Sequence, residues 1–192
     1  MNYFTIYINF INHEEVIVKN KGSALSPQER FLLSYIANFP EKQGFTGSVE
    51  NLESITRKNR KSLLKTLKKL VDIEILEKSD IPHFRTKKYK LTKRFQEIYD
   101  IVKEEKDRFF HVRLDFLENI DEIDLTDMML ISYISSFNEG YCGYQRDLIS
   151  VLGIGVTTLS KKIKNKLFIK KGGKICLTDE LEKKLKFSTV KV

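Results

Sequence analysis

The chain is poor in the residues that build metal and redox sites: its 192 residues include two cysteines and three histidines. Cys142 and Cys176 lie 34 positions apart with no CxxC pair, a pattern that suggests neither a disulfide framework nor a zinc site. His13, His83 and His111 are too widely spread to form a local ligand set, so ordinary turn and surface roles are expected of them, and no metal or other cofactor. No run of about 18 apolar residues occurs, so nothing reads as a bilayer span. The opening MNYFTIYINFINHEE is apolar but carries neither a basic leader nor a small-residue cleavage site. A reducing, cytoplasmic setting is the expectation that follows.

What is present is positive charge on a chain able to fold. Apolar residues make up 41% and aromatic residues 11%, enough for real cores, and the net charge is +8. Such a balance favours a polyanionic partner. The charge is densest in RKNRKSLLKTLKKL, residues 57–70, with seven basic residues and no acid. Wound as a helix, this segment puts Leu63, Leu67 and Leu70 in one stripe and Lys61, Lys65, Lys68 and Lys69 opposite it. One face wants a core and the other wants anions. In isolation such a face is most often plain solvated surface. At the N-terminus, Phe4, Ile6, Ile8 and Phe10 alternate with Thr5, Tyr7 and Asn9, which predicts a strand with one buried face.

The chain also repeats itself. LLSYIANF at 32–39 returns as LISYISSF at 130–137 with five of eight positions identical. Gly44, Phe45 and Leu52 then correspond to Gly140, Tyr141 and Leu148, and KYKLT at 88–92 returns as KICLT at 174–178. Each copy spans about 70 residues, the size of a small domain.

In copy one, SPQE at 26–29 supplies an N-cap serine, a proline at the first helical position and a capping-box glutamate, opening a helix through about Asn38. A short helix near Val49 to Ser54, a polar turn of Thr56 to Asn59 and the basic helix follow. IEILEKS and FRTKKYKLT then read as a hairpin. Copy two keeps this order: a helix over about 126–137, a short helix near 145–152, a turn at Gly153 to Gly155, the helix VTTLSKKIKNK, and a hairpin LFIKKGGKICLT turning on Gly172 and Gly173. Between the copies, Phe95, Ile98, Ile101 and Val102 recur at helical spacing, predicting a connecting helix packed on both halves.

Helix, short helix, turn, helix and hairpin resembles the winged helix-turn-helix family. LSPQERFLLSYI and LISVLGIGVTTLSKKIKN are similar to modules of plasmid and phage replication initiators and regulators of Gram-positive bacteria. The resemblance covers nearly all of the chain after residue 24. Copy one departs from it in its turn, where Thr56-Arg57-Lys58 stands in place of a glycine. The implied fold is mainly helical α+β: tandem duplicated winged helix-turn-helix domains joined by a helical linker. The segments are 1–24 (N-terminal strand), 25–92 (first domain), 93–110 (linker helix) and 111–192 (second domain).

The family resemblance implies that the third helix of each copy enters a major groove of double-stranded DNA while the hairpin, or wing, touches the backbone or minor groove. Carried over by position, the groove-facing set is Arg57, Lys61 and Lys65 with Thr157, Lys161 and Lys164, extended by Lys58, Arg60, Lys68 and Thr158. Arg60 lies on the flank of the leucine stripe, as does Val156 in copy two, so a structural role for both stays open. The wing set is Arg85, Lys87 and Lys88, then Lys170, Lys171 and Lys174.

The expected function is non-enzymatic, sequence-specific duplex-DNA binding by a regulator of a plasmid or phage-type element, with no membrane partner. Two alternatives are kept: an origin-binding initiator or accessory factor, and a protein-interaction module of a replication or transfer complex with weak DNA binding. A nicking enzyme would need paired histidines beside a reactive tyrosine or a carboxylate cluster, and no such set is visible. ENIDEID at 118–124 matches no calcium loop and reads as solvated linker. Tyr35 and Tyr133 recur at matching helix positions, which argues for packing. The two modules in one chain suggest a pseudo-dimer able to address two half-sites, its oligomeric state being left open by the sequence.

Overall fold

The computed structural model describes residues 3–82, 86–105, 108–114, 120, 123–137, 145–164, 166–171 and 174–189. Expectations for His83, Arg85, Gly140, Tyr141, Cys142, most of 118–124 and the Gly172–Gly173 turn lie outside these residues. The fold is mainly helical α+β. The first half runs β1 (Tyr3–Tyr7), α1 (Ile8–Ile11), α2 (Glu14–Lys19), α3 (Pro27–Ala37), α4 (Val49–Thr56), α5 (Arg60–Asp72), β2 (Leu76–Asp80), β3 (Lys87–Leu91) and α6 (Lys93–Glu105). The second half runs β4 (Phe109–Arg113), α7 (Leu125–Ser135), α8 (Gln145–Leu152), α9 (Val156–Ile163), β5 (Phe168–Lys171), β6 (Lys174–Leu177) and α10 (Asp179–Thr189). The strands form three antiparallel pairs: β1 with β4, β2 with β3, and β5 with β6.

Capping chemistry sets the main helix starts. Ser26 Oγ accepts from the Glu29 amide at 3.4 Å while the Ser26 amide donates to Glu29 Oε2 at 2.8 Å, closing the capping box of α3 with Pro27 at its first position. Asp124 and Asp127 build the equivalent box on α7. Ser48 and Asn59 cap α4 and α5. Helices α3 and α7 are buried nearly all round, as helices without a polar face must be.

The N-terminal strand is shorter than its alternation predicts. It ends at Tyr7, and Ile8 to Ile11 form a helical turn instead. The run Ile8-Asn9-Phe10-Ile11 breaks strict alternation, and one turn of helix buries Ile8, Phe10 and Ile11 together, which a strand with one inner face cannot do. Thr5, expected on the outer face, is also buried. Its amide donates to Asn38 Oδ1 at 3.1 Å, its carbonyl accepts from Asn38 Nδ2 at 2.8 Å, and its hydroxyl meets His111 Nδ1 at 3.0 Å.

Equivalent contacts recur in the two halves. Phe4 on β1 packs edge-on against Tyr35 of α3 with centroids 5.3 Å apart, and Phe110 on β4 does the same to Tyr133 of α7, also at 5.3 Å. Tyr35 in turn meets Phe39, and Tyr133 meets Phe137, both at 5.3 Å. In the β1–β4 ladder Phe4 faces Val112, Phe110 faces Ile6, and Thr5 faces His111 at the centre. That register is what an approximate two-fold axis through the Thr5–His111 pair requires, and α3 packs against α7 beside it. Residues 3–7 therefore belong to the join between the halves. The apolar core is continuous across that join.

The first hairpin gains a third strand position. Phe45 exchanges both backbone hydrogen bonds with Tyr89, at 2.8 and 2.9 Å. Gly44 before it has φ +58°, and a Cβ there would stand 2.8 Å from the Tyr89 carbonyl oxygen, so glycine is needed for this approach. The connecting helix α6 buries Phe95, Ile98, Tyr99 and Val102. Ile101, expected in that stripe, is 58% exposed. Tyr99 takes its place, packing on Tyr7 and Phe10 at 5.5 and 5.1 Å.

Candidate nucleic-acid interface

The basic helix α5 is amphipathic in the predicted sense. Leu63, Leu67 and Leu70 are fully buried, whereas Lys61, Lys65 and Lys68 are exposed. The turn that aims it depends on Thr56, which is buried, donates from Oγ1 to the Leu52 carbonyl at 2.6 Å and accepts from the Lys58 amide at 3.3 Å. Arg57 then takes a left-handed conformation, φ 53° and ψ 29°. At the corresponding turn of the second half Gly153 has φ +65°. The two turns share one geometry although only one has the residue that adopts it without strain.

Helix α9 presents Thr157, Thr158, Lys161 and, just past its end, Lys164 to solvent, with Leu159 and Ile163 inward. Val156 at its start is 59% exposed. Among the described residues, the side chains of Lys61, Lys65, Lys161, Lys164 and Lys170 make no hydrogen bond or ion pair. Of the predicted site residues, these are the cations most available to an anionic ligand.

Other predicted site residues are engaged. The Arg57 guanidinium donates to the Ile123 carbonyl at 3.1 Å. Arg60 pairs with Glu50 on the surface. Lys68 reaches Asp72 at 3.3 Å, Lys87 pairs with Asp80, Lys88 donates to the Lys42 carbonyl at 2.7 Å, and Lys171 reaches Asp179 at 3.3 Å. These surface contacts are worth little in water, about 0 to 1 kcal/mol each, so a phosphate competes readily for the same cations. Lys58 and Lys174 are half-buried.

One lysine on each of α5 and α9 is held by carboxylates of the first helix of its own half. Lys69, placed by the helical wheel on the cationic side, bends its stem to Glu29 of the α3 capping box at 2.7 Å. Lys162 makes the matching contact in the second half, at 2.8 Å to Asp124 and 2.7 Å to Asp127. Burial lifts the Asp124 carboxyl, but the hydrogen bonds from Lys162 and the cap amides outweigh it and hold the group below the usual range. For Lys162 burial works downward, and the two carboxylates overcome it, raising the ammonium. Both α5 and α9 are thus tied to the first helix of their own half by an ion pair.

A cleft between α5 and the first hairpin, lined by Arg60, Leu64, Lys78, Thr86, Lys87 and Tyr89, extends the surface. Leu64 and Lys78 were not singled out from the sequence. Lys78 sits one strand across from Tyr89, a proximity set by hairpin register that no local spacing reveals.

Among the described residues no group of three or more His, Cys, Asp or Glu side chains is placed to hold a metal, and no helix is long and apolar enough to cross a membrane. His13 accepts from the Glu15 amide at the start of α2, and His111 sits against Thr5. Comparison with protein-family models, with curated proteins and with solved structures returned no match.

Proposed function

We propose that this chain is a sequence-specific double-stranded DNA-binding protein without enzymatic activity, built from two winged helix-turn-helix modules. Its role in the cytoplasm is to regulate a plasmid or phage-type element. The observation that carries the reading is the likeness of α5 and α9. Each follows a short helix through a left-handed turn, buries an apolar stripe, keeps outward lysines without partners among the described residues, and leads into a lysine-bearing hairpin. A helix so held offers its outer face to phosphates and base edges. The approximate two-fold relation of the halves supports a pseudo-dimer, in which one chain addresses two half-sites about 34 Å apart. Because α5 and α9 differ in sequence, the target is an imperfect inverted repeat. Origin binding uses the same chemistry at a different address.

The protein-interaction reading has one observation in its favour: α9 offers few cations and an exposed Val156. Selection of bound sequences from random duplex DNA, followed by footprinting, separates the two. Enrichment of a bipartite motif with both arms protected is the expected result. Absence of any enriched motif overturns the DNA-binding proposal in favour of the interaction module.

A further inference from the structure

Arg30 is the largest fully buried side chain among the described residues, and the proposed DNA contact does not use it. It projects from α3, in the first half. Its Nε donates to the Leu25 carbonyl at 2.8 Å, and its Nη1 donates to the carbonyls of Ser150 and, at 2.8 Å, Val151, in the last turn of α8 in the second half. A cation suits the negative end of a helix. Burying one without a carboxylate is nevertheless unfavourable, and Nη2 has no acceptor among the described residues. Packing alone does not call for it, because Met128 stands at the matching position of α7. The gain is orientation: a planar fork of donors fixes direction as an alkyl chain or an ammonium cannot.

What the fork orients is the turn into α9. Gly153 lies two residues beyond Val151, and a Cβ on it would fall 2.2 Å from the Leu25 carbonyl oxygen and 2.5 Å from Arg30 Nε. The contact is reciprocal. Arg57, the counterpart of Gly153, bonds the carbonyl of Ile123, the counterpart of Leu25. Each turn that aims a reader helix is thus docked on the residue before the N-cap of the first helix of the opposite half.

We propose that Arg30 is a positioning residue that fixes α9 relative to the first module, making the chain a ruler that accepts two DNA half-sites at one separation only. This rests on the duplex-binding reading above.

The test uses the full chain and the bipartite duplex recovered by selection, rebuilt with about 2, 5 and 10 base pairs added between its arms, together with each arm alone. The parent should lose affinity at least about tenfold on a 5-base-pair insertion, which places the arms on opposite faces of the helix. Arg30→Met should bind each single arm as the parent does yet hold the insertion of about 2 base pairs within about threefold of the original spacing, where the parent loses about tenfold. The longer insertions stay out of reach of both proteins, because the β1–β4 ladder and the shared core still join the halves. Hydrogen exchange on the free protein should show faster exchange at the amides of Gly153 and Leu159, with those of α5 unchanged. Should Arg30→Met not fold, Arg30→Lys, which keeps the charge and loses the fork, is read in the same way. A parent that binds no duplex defeats the DNA reading and the ruler with it. A parent that binds, beside variants that keep its sharp separation preference, defeats the ruler alone.

Discussion

The side chains of Lys65 and Leu67 leave α5 in opposite directions, and the account gives them opposite work. Lys65 is exposed and Leu67 is 1% exposed. Lys65→Ala should change stability by under about 0.5 kcal/mol. DNA affinity should fall by about 1 to 3 kcal/mol if the lysine reads a base edge, or the salt slope should shrink by about one unit if it meets phosphate. Leu67→Ala should cost about 2 to 5 kcal/mol of stability through lost burial and a cavity, and harm binding only by unfolding. Circular dichroism melts with fluorescence-anisotropy titrations of both variants decide between these outcomes. A Lys65→Ala protein that unfolds, or that binds as the parent does at every salt concentration, puts the helix in the wrong orientation. At this scale the sequence was legible wherever periodicity governs, as for Leu63, Leu67 and Leu70. It was misleading for Lys69, because a long flexible stem reaches a partner that the wheel angle does not point to.

Elements bounded by local chemistry were the most readable. The capping box of α3 lies where SPQE puts it, and α8 spans the residues its pattern marks. Helix α10 escaped notice although Asp179, Glu180 and Glu182 crowd its first turn, because its apolar stripe is thin. The inward ion pair of α9 gives a pH test. The Asp124 carboxyl titrates below its ordinary value of about 3.9, so its contribution is complete above that value and lost as pH falls through the lower folded value. Lys162, raised above its ordinary value of about 10.4, contributes fully below that value and loses its part only as pH rises through its higher folded value. Lys162→Met strands the buried Asp127 and should cost about 3 kcal/mol near neutral pH. In melts followed from pH 7 to pH 2 the gap between variant and parent should narrow below about pH 4, as the parent too loses Asp124's share. A gap constant to about pH 2 would mean that the ion pair with the Asp124 carboxylate is not its source. For the hairpins, changing Lys170, Lys171 and Lys174 together to Ala should weaken all duplexes alike, since backbone contacts position without reading. A changed preferred motif in a repeated selection would show that this wing reads bases.

At the scale of the whole molecule, the internal sequence repeat was visible in LLSYIANF and LISYISSF, but the way the two halves meet was not. The β1–β4 ladder joins residues about a hundred positions apart, and Phe109 to Arg113 carries no local mark of its partner. Arg30 was equally hidden. Nothing in its local sequence marks it for burial, which comes only when tertiary structure brings the last turn of α8 over it. The candidate site divides the same way. The outward faces of α5 and α9 follow from periodicity, while the surface partners of Arg57, Arg60 and Lys87 are set by register and packing.

The central claim, that the two lysine-bearing faces take duplex DNA, is tested most directly by anisotropy titration of a labelled duplex across a series of salt concentrations. Each phosphate neutralised releases counterions with a log-log slope of about −0.9, and two modules with wings should contact several phosphates apiece. The account predicts a steep linear fall of log affinity with log salt. Affinity that is flat across the series, or no binding at the lowest salt, would contradict it.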